Sequence, residues 1–208
     1  MGIYGRWILP RLIDWTIRAE DLAGLRCRLV RRAQGRVLEV GFGSGLNLPL
    51  YGPGAEMVIG LDPSAELLRR ATPLVAHVAF PVHLVRATAE AIPLVEASVD
   101  TTVMAWTLCS LEDARAGLGE MRRVLRPNGE LLFVEHGLAP DPETAAWQRR
   151  LNPLWTRISC YLNNPVDRML RETGFDVVEL RSGYLGKGPR PMTFMYEGRA
   201  RPTAAAGR

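Results

Sequence analysis

Short apolar runs alternate along this chain with segments whose apolar residues recur at the three- and four-residue spacing of a helix. This pattern predicts five strands in the first two thirds of the chain, at residues 36–40, 57–61, 82–85, 101–107 and 130–135. Between them it predicts helices, among others at residues 65–71 and 113–125. The second of these helices is expected to end at the stop signal Pro127-Asn128-Gly129. Regular alternation of strands and helices is typical of a parallel sheet with helices on both faces.

The last part of the chain follows a different pattern. Two strand-like runs, residues 174–182 and 191–199, are separated only by the turn-rich residues 183–190, which leave no room for a helix. Strands joined in this way should pair antiparallel, since a parallel crossover needs about a dozen residues or more. The predicted fold class is therefore α/β, a doubly wound sheet of seven strands that is mostly parallel, with the last strand antiparallel. We expect one domain over residues 1–208, in which residues 1–35 form an N-terminal helical cap.

The loop after the first predicted strand carries three glycines at alternate positions, Gly41, Gly43 and Gly45, and is preceded by Glu39. Glycine lets the backbone turn sharply and approach a ligand closely, so this loop is a candidate cofactor cradle in a Rossmann-like fold. An ordinary tight turn between strand and helix is the alternative. A dinucleotide loop needs its third glycine five residues after the first, where this chain has Leu46, so NAD is only a distant alternative.

The pattern Glu-x-Gly-x-Gly-x-Gly resembles the first motif of the class I S-adenosylmethionine-dependent methyltransferases. The resemblance implies that S-adenosylmethionine is the cofactor, that the loop wraps its amino-acid part, and that Glu39 helps to hold its ammonium group. Asp62 ends the second predicted strand and is followed by Pro63, both on the cofactor side. A carboxylate at this position can accept both ribose hydroxyls, and a simple cap of the next helix is the alternative for Asp62.

Thr88, Ala89 and Glu90 follow the third predicted strand and resemble the adenine-side motif of the same family. The family often has aspartate where this chain has Thr88. The resemblance therefore implies that the backbone amide of Ala89 and the side chain of Thr88 or Glu90 contact the adenine.

The carboxyl ends of the fourth and fifth predicted strands should flank the other half of the site, because ligands of open α/β sheets bind there. Trp106 is predicted on the cofactor side and Thr107 on the acceptor side. His136 follows the fifth strand and is the candidate general base, since a neutral imidazole can take a proton near pH 7. A structural hydrogen bond from His136 to the next loop is an equal alternative. Three other reactive side chains are interpreted as structural or as core packing: His77, His83 and Cys109.

The resemblance extends beyond the cofactor loop. Residues 106–110, 120–127 and 133–136 look like the ubiquinone/menaquinone-biosynthesis-type methyltransferases. More closely, they look like the methyltransferase-like group that contains alkyl-thiol S-methyltransferases.

Two segments are expected to cover the acceptor site. Residues 141–168 form an aromatic, turn-rich insertion, with Trp155, Tyr161 and Asn163 as predicted acceptor contacts. Residues 7–17 are expected to cover the same site or, alternatively, to rest on a membrane surface.

Composition limits the class and the location of the protein. Hydrophobic residues make up 47% and charged residues 23% of the chain, as in ordinary soluble globular proteins. No apolar run approaches the roughly 18 to 20 residues of a membrane span, and no signal peptide is predicted. Three cysteines without metal-ligand spacing predict no disulfide framework, no metal site and a cytoplasmic protein. A cluster of arginines is interpreted as a solvated helix face, because no aromatic stacking pattern accompanies it: Arg26, Arg28, Arg31, Arg32 and Arg36.

These observations predict an enzyme that transfers a methyl group from S-adenosylmethionine to a small-molecule acceptor by direct in-line displacement, with a thiol as the first choice. Carbon methylation of a quinone precursor and nitrogen methylation of a phospholipid amine are the alternative reactions. From a different class, a non-catalytic regulator that only binds the cofactor is also consistent with the loop. No nucleic-acid partner is expected.

Overall fold

The computed structural model describes residues 20–156, 160–186 and 188–203. The strands within them are β1 (Gly35–Val40), β2 (Ala55–Leu61), β3 (Val82–Val85), β4 (Val99–Ala105), β5 (Leu125–His136), β6 (Phe175–Tyr184) and β7 (Phe194–Pro202). The helices are α1 (Glu20–Val30), α2 (Ala65–Val75), α3 (Ala114–Val124), α4 (Pro142–Trp155), α5 (Val166–Glu172) and α6 (Arg190–Thr193). Short 3-10 turns lie at Leu48–Leu50 and Leu108–Ser110.

The strands form one seven-stranded sheet in the order β3-β2-β1-β4-β5-β7-β6. Strands β1 to β5 pair parallel with one another, and β7 is antiparallel to both β5 and β6. The predicted fold class is confirmed, including the antiparallel last strand. The strand order reverses between β1 and β4, so the carboxyl ends of these strands border the crevice in which open α/β sheets bind ligands.

Two apolar layers, one on each face of the sheet, hold the helices in place. Along β5 the alternation of side chains sends Leu131 and Phe133 to one layer, and Leu132 and Val134 to the other. The first layer is shared with α3 and α5, and the second with α1 and α2. Helices therefore cover both faces, as the alternation of strands and helices predicts.

The amino end of β5 differs from the prediction. The strand begins at Leu125 rather than at residue 130, and residues 126–129 bulge out opposite the single residue Asp100. A Cβ on Gly129 would come within 2.8 Å of the Asp100 carbonyl oxygen, so the bulge lies close against β4. The stop signal thus ends α3 but lies inside a bulged strand. The other predicted boundaries agree to within about four residues.

Two segments predicted as loops contain helices. Residues 141–168 are not turn-rich, because α4 fills the first half of the insertion. Asp141 caps this helix by accepting from the Thr144 amide at 2.8 Å, and Pro142 lies in its first turn, both of which are start signals. The prediction that residues 183–190 leave no room for a helix is also wrong, since the four-residue α6 begins at the end of that segment.

The arginine cluster of residues 26–36, which begins on α1 and ends on β1, is solvated only in part. Arg28 and Arg32 reach carboxylates of the sheet, Glu197 on β7 at 3.3 Å and Glu179 on β6 at 2.8 Å. Arg26, in contrast, is only 6% exposed. The interpretation as a solvated face is therefore wrong for Arg26, which is buried and whose charge acts on the buried carboxyl group of Glu39.

The N-terminal part of the chain is described from Glu20 onward, where α1 supplies the helix expected within residues 1–35. Residues 7–17, predicted to cover the site or to contact a membrane, lie outside the described residues. Within the part of the chain that the structure describes, no helix is long and apolar enough to cross a membrane.

Candidate active site

The glycine loop follows β1 at the carboxyl edge of the sheet. Its three glycines have left-handed backbones, with φ of +76° at Gly41, +57° at Gly43 and +78° at Gly45, which other residues rarely adopt. The Gly41 amide donates to the Leu61 carbonyl at 2.9 Å, so the loop is fixed to the end of β2. A Cβ on Gly41 would collide with Thr107, and one on Gly45 would lie 3.2 Å from a methyl group of α2. The fold itself therefore favours glycine at both positions.

Gly43 has a different environment. A Cβ at this position would meet no protein atom closer than the Gly41 carbonyl oxygen, at 4.0 Å. A glycine whose side-chain position is open leaves its backbone accessible to close approach by a ligand. This is the arrangement that the predicted cofactor cradle requires.

Glu39 lies on β1 just before the loop and is buried. Its carboxylate accepts hydrogen bonds from the Asn47 side-chain nitrogen and from the Tyr51 hydroxyl, both at 2.8 Å. Burial raises the pKa of Glu39 to about 7, although these two hydrogen bonds and the nearby charge of Arg26 act in the opposite direction. The Asn47 side-chain oxygen is buried without a hydrogen-bond partner among the described residues. A buried carboxyl group beside an unpaired oxygen is a suitable receptor for an ammonium group.

Asn47 and Tyr51 are absent from the predicted site. They stand eight and twelve positions after Glu39, and the turn at Leu48–Leu50 brings them back beside β1. The available signal was an asparagine within an apolar stretch, because a buried amide needs hydrogen-bond partners.

Asp62 follows β2 directly and is buried. Its two oxygens accept from the amides of Gly43 at 2.9 Å and Ser64 at 2.8 Å, which ties the end of β2 to the glycine loop. Burial raises the pKa of Asp62, and the two hydrogen bonds oppose the rise. The helix-cap alternative is wrong, because Ser64 caps α2 by accepting from the Leu67 amide at 3.3 Å. Pro63 is exposed beside Asp62.

The predicted adenine side is a loop after β3. Of its three predicted contacts, Ala89 is buried, Glu90 is half-buried and Thr88 is exposed. The loop is held from α3, where Glu120 accepts from the Ile92 amide and Arg123 donates to the Ile92 carbonyl, both at 2.9 Å. Sequence reasoning missed this pair, whose signal was opposite charges three positions apart on a helix. The contact with adenine stays a prediction.

The chain turns sharply after β4 at Trp106, which has a positive φ of +53°. The Trp106 amide donates to the Val134 carbonyl at 2.9 Å, and its indole nitrogen is buried with no partner in the described ranges. The Thr107 hydroxyl donates to the Val40 carbonyl at 2.9 Å, in the space that glycine leaves at position 41. The buried side chain of Thr107 thus joins β4 to β1, and its contact with an acceptor stays a prediction.

His136 ends β5, where it pairs with Met195 of β7, and it is buried. Burial lowers its pKa, and the backbone of Met192 opposes part of that change without reaching hydrogen-bond geometry. Neither ring nitrogen has a hydrogen-bond partner within residues 20–156, 160–186 and 188–203, so the structural alternative is not found there. The ring is neutral near pH 7, as a general base must be, and the catalytic role stays a prediction. His77 and His83 are exposed, after α2 and on β3.

The segment after α4 is held against the turn that follows β4. The Tyr161 amide donates to the Cys109 carbonyl at 2.7 Å, and the Asn164 side chain approaches the Leu108 carbonyl at 3.5 Å. Cys109 is buried, as its interpretation as core packing predicts. Of the three predicted acceptor contacts, Trp155 and Asn163 are half-buried and Tyr161 is exposed. The structure thus brings Tyr161 beside the turn, and contact of these residues with an acceptor stays a prediction.

A buried glutamine that the prediction missed fixes α4. The Gln148 side-chain oxygen accepts from the Ala139 amide at 2.8 Å, and its nitrogen donates to the carbonyls of Gly137 at 2.9 Å and Pro191 at 3.1 Å. One side chain therefore joins α4 to the end of β5 and to α6. The signal was a polar residue one helical turn after the buried Thr144, on the same face of the helix.

Comparison with known proteins agrees with this geometry. A family described as the methyltransferase domain matches residues 38–133, which run from β1 to β5 and include the glycine loop. A phosphatidylethanolamine N-methyltransferase of Cereibacter sphaeroides is 31% identical over 147 residues, covering 70% of this chain and 72% of that protein. The chain belongs to the S-adenosylmethionine-dependent methyltransferases.

Two other curated relatives of this methyltransferase are matched over less than two thirds of their length. A thiol S-methyltransferase of Homo sapiens (TMT1B) is 33% identical over 156 residues, which cover 71% of this chain and 64% of that protein. The ubiquinone/menaquinone biosynthesis C-methyltransferase UbiE of Syntrophotalea carbinolica is 32% identical over 146 residues, which cover 68% and 61%.

Solved structures confirm the fold of this methyltransferase. The N-methyltransferase NodS from Bradyrhizobium japonicum, in complex with S-adenosyl-L-homocysteine, matches with a TM-score of 0.71 at 20% identity, over 90% of this chain and 91% of that one. The residues present here fit such a cofactor, since Gly43 leaves an open cradle and Glu39 with Asn47 offers a receptor for an ammonium group.

Proposed function

We propose that this methyltransferase transfers the methyl group of S-adenosylmethionine to the sulfur of a small-molecule thiol. The observation that carries the choice of a thiol is the 33% identity to the human thiol S-methyltransferase. The neutral ring of His136 supports it, because a thiol ionises near neutral pH and needs only a weak base. A cytoplasmic location is part of the proposal, in keeping with the three cysteines of the chain.

The cofactor would be held at the carboxyl ends of β1, β2 and β4. Glu39 and Asn47 offer buried oxygens to its ammonium group, and Asp62 offers two acceptor oxygens to its ribose hydroxyls. Residues 88–90 would contact the adenine. The indole nitrogen of Trp106, which has no hydrogen-bond partner among the described residues, is a further donor on this side of the site.

The protein has little covalent chemistry to perform in this reaction. The cofactor supplies a methyl group that its sulfonium centre already activates. As the thiol sulfur bonds to the methyl carbon and the carbon–sulfonium bond breaks, the thiol proton passes to a ring nitrogen of His136. The protein contributes mainly alignment of the two reactants. In this proposal α4 and residues 160–164 cover the acceptor, with Trp155, Tyr161 and Asn163 as contacts.

Nitrogen methylation of a phospholipid amine is the second candidate. The similarity to the phosphatidylethanolamine N-methyltransferase favours it, since the match covers 72% of that relative. This reaction would require the acceptor side to meet a membrane surface, for which residues 7–17 are the predicted contact. Carbon methylation of a quinone precursor has the similarity to UbiE in its favour.

A comparison of acceptors tests the proposal. Purified protein is incubated with methyl-labelled S-adenosylmethionine and one of three acceptors: an alkyl thiol, phosphatidylethanolamine vesicles or a methoxylated hydroquinone. The products are identified by mass spectrometry. The proposal expects a methyl thioether, with kcat/KM at least ~10-fold above that for the other two acceptors. Methylated phospholipid as the main product would establish the second candidate instead. Cofactor binding without transfer to any acceptor would favour the non-catalytic regulator.

A further inference from the structure

Glu135 is a buried acid that the proposed reaction does not use. It precedes His136 on β5 and is 0% exposed. One carboxyl oxygen accepts from the amides of Thr107 at 2.8 Å and Leu108 at 3.1 Å. The other oxygen is buried and has no hydrogen-bond partner among the described residues. Burying a carboxyl group is costly, so this arrangement requires an explanation.

The two amides belong to a turn, residues 106–110, that joins the cofactor side of the site to the acceptor side. Trp106 begins this turn with a positive φ, which an aromatic residue adopts only when its surroundings impose it. Within the turn, the Thr107 hydroxyl is bonded to β1 and the Cys109 carbonyl accepts from the Tyr161 amide. Glu135 thus fixes the stretch of backbone that connects the glycine loop to the segment over the acceptor.

The carboxyl group of Glu135 holds its proton more strongly than an exposed glutamate does. Burial raises its pKa to about 8, while the amides of Thr107 and Leu108 lower it. The titratable groups that face it are the thiols of Cys160, whose charge would raise its pKa further, and Cys109. The pKa of Cys109 is itself held well above its usual range by a hydrogen bond with Cys160 and by burial.

We propose that Glu135 is a positioning residue for acceptor binding, whose carboxyl oxygen holds residues 106–110 in the conformation the site requires by accepting from two amides of the turn. The inference rests on the proposed methyl transfer, in which this turn lies between the cofactor side and the acceptor side of the site. Glutamine has the shape of the neutral acid and keeps an oxygen for the two amides. Leucine removes the acceptor and leaves both amides unpaired. Unlike glutamate, glutamine gains no charge as the pH rises.

Amide exchange tests the positioning role without any acceptor. Glu135→Gln and Glu135→Leu are compared with Glu130→Gln, a matched control in the middle of β5, where Glu130 pairs with Arg199 at 3.2 Å. Near pH 5, hydrogen exchange of the Thr107 and Leu108 amides should be similar to the wild type in both glutamine variants and at least ~10-fold faster in Glu135→Leu. Since this measurement needs no methyl transfer, a failure of the proposed function is distinguishable from a failure of the positioning role.

Turnover with an alkyl thiol gives the second readout. In Glu135→Leu the KM for the thiol should rise at least ~10-fold, a larger factor than the loss of affinity for S-adenosylhomocysteine. The turnover of Glu135→Gln divided by that of the wild type should be near one at pH 7 and rise above pH 8, because Glu135 then ionises in the wild type only. Ionisation of the thiol affects both proteins equally and cancels in this ratio. A ratio that stays flat to pH 9, or unchanged amide exchange in Glu135→Leu, would overturn the proposal.

A second exchange experiment covers the case in which Glu135→Leu does not fold. When the turn opens, the Glu135 carboxyl group reaches water and its pKa returns toward 4.5. Opening in the wild type should therefore become easier as the pH rises from about 5 to 8. Glu135→Gln has no such dependence. The ratio of amide protection in Glu135→Gln to that in the wild type should therefore increase over this range, and a constant ratio refutes the role.

Discussion

Replacement of Asp62 by alanine gives the most direct test of the cofactor site. Asp62 is buried at the end of β2, and its oxygens already hold the amides of Gly43 and Ser64. In a complex its carboxylate would accept two ribose hydroxyls, and a hydrogen bond to a charged group contributes about 1.5–3 kcal/mol. Asp62→Ala should therefore weaken binding of S-adenosylhomocysteine by about 3 kcal/mol or more, which is a loss of ~10²-fold or greater.

Part of the effect of Asp62→Ala is structural and has to be separated from binding. The amides of Gly43 and Ser64 lose their acceptor, which should lower the free energy of unfolding by about 1–2 kcal/mol. Asp100→Ala is the matched control, because Asp100 also accepts a backbone amide, that of Arg36 at 2.8 Å, but at the amino ends of the strands. This control should lose a similar stability and keep its affinity.

Titration calorimetry with S-adenosylhomocysteine measures the affinity, and urea denaturation measures the stability. If Asp62→Ala weakens binding by less than about twofold while its stability falls, Asp62 only supports the loop. An equal loss of affinity in Asp100→Ala would mean that binding follows global stability. The pH dependence of this affinity tests whether Asp62 binds as the anion. Ribose hydroxyls donate to the anion, so affinity should fall as the pH is lowered through the raised pKa of Asp62.

Three further predictions use the same assays. Gly43→Val should abolish cofactor binding, because the new side chain fills the cradle. The control Gly119→Val on α3, where nothing lies within 4 Å of the Cβ position, should keep its affinity. Comparable affinity in the two variants would mean that the cradle is misplaced. His136→Ala should lower thiol turnover by ~10² at pH 7 with unchanged cofactor affinity, and the loss should shrink toward pH ~8.5 as the thiol ionises by itself; wild-type turnover would return His136 to a structural role. The pKa values of Glu39, about 7, and Glu135, about 8, lie above their unfolded value of 4.5, so the folded state holds protons that the unfolded state releases. The free energy of unfolding should thus fall between about pH 5 and 8, by up to about 1.4 kcal/mol per pH unit and group, and more gently in Glu135→Gln; parallel curves would contradict this.

The shape of the glycine loop and the positions of the two acids could be predicted, because these residues lie close along the chain. Glu39, the three glycines and Asp62 all belong to one strand–loop–strand stretch, and their arrangement depends on local rules. Alternate glycines with positive φ make the turn, and the ends of β1 and β2 place the two acids at the same edge of the sheet. The partners of Glu39 could have been found on the same grounds, since Asn47 and Tyr51 follow within twelve positions.

The acceptor half depends on contacts between distant parts of the chain. Thr107 meets Val40 across 67 positions, and Glu135 meets the Thr107 amide across 28. No local pattern encodes such pairs, because the order of strands in the sheet decides which ends become neighbours. The error at α4 has another cause. Its start signals, Asp141 and Pro142, were present in the sequence, and the aromatic and polar residues that follow them concealed a helix with a short buried face.

The place of β7 in the sheet has a consequence for the synthesis of this protein. The chain of β6 leaves the ribosome before that of β7, yet β6 has no neighbour in the sheet until β7 lies between it and β5. Until then β5 is an open edge whose unpaired amides and carbonyls can recruit another chain. His136 lies on that edge opposite Met195, so the candidate base acquires its surroundings in the last step of assembly. Nascent chains should accordingly be inactive and most prone to aggregate in the interval before residues 194–202 dock.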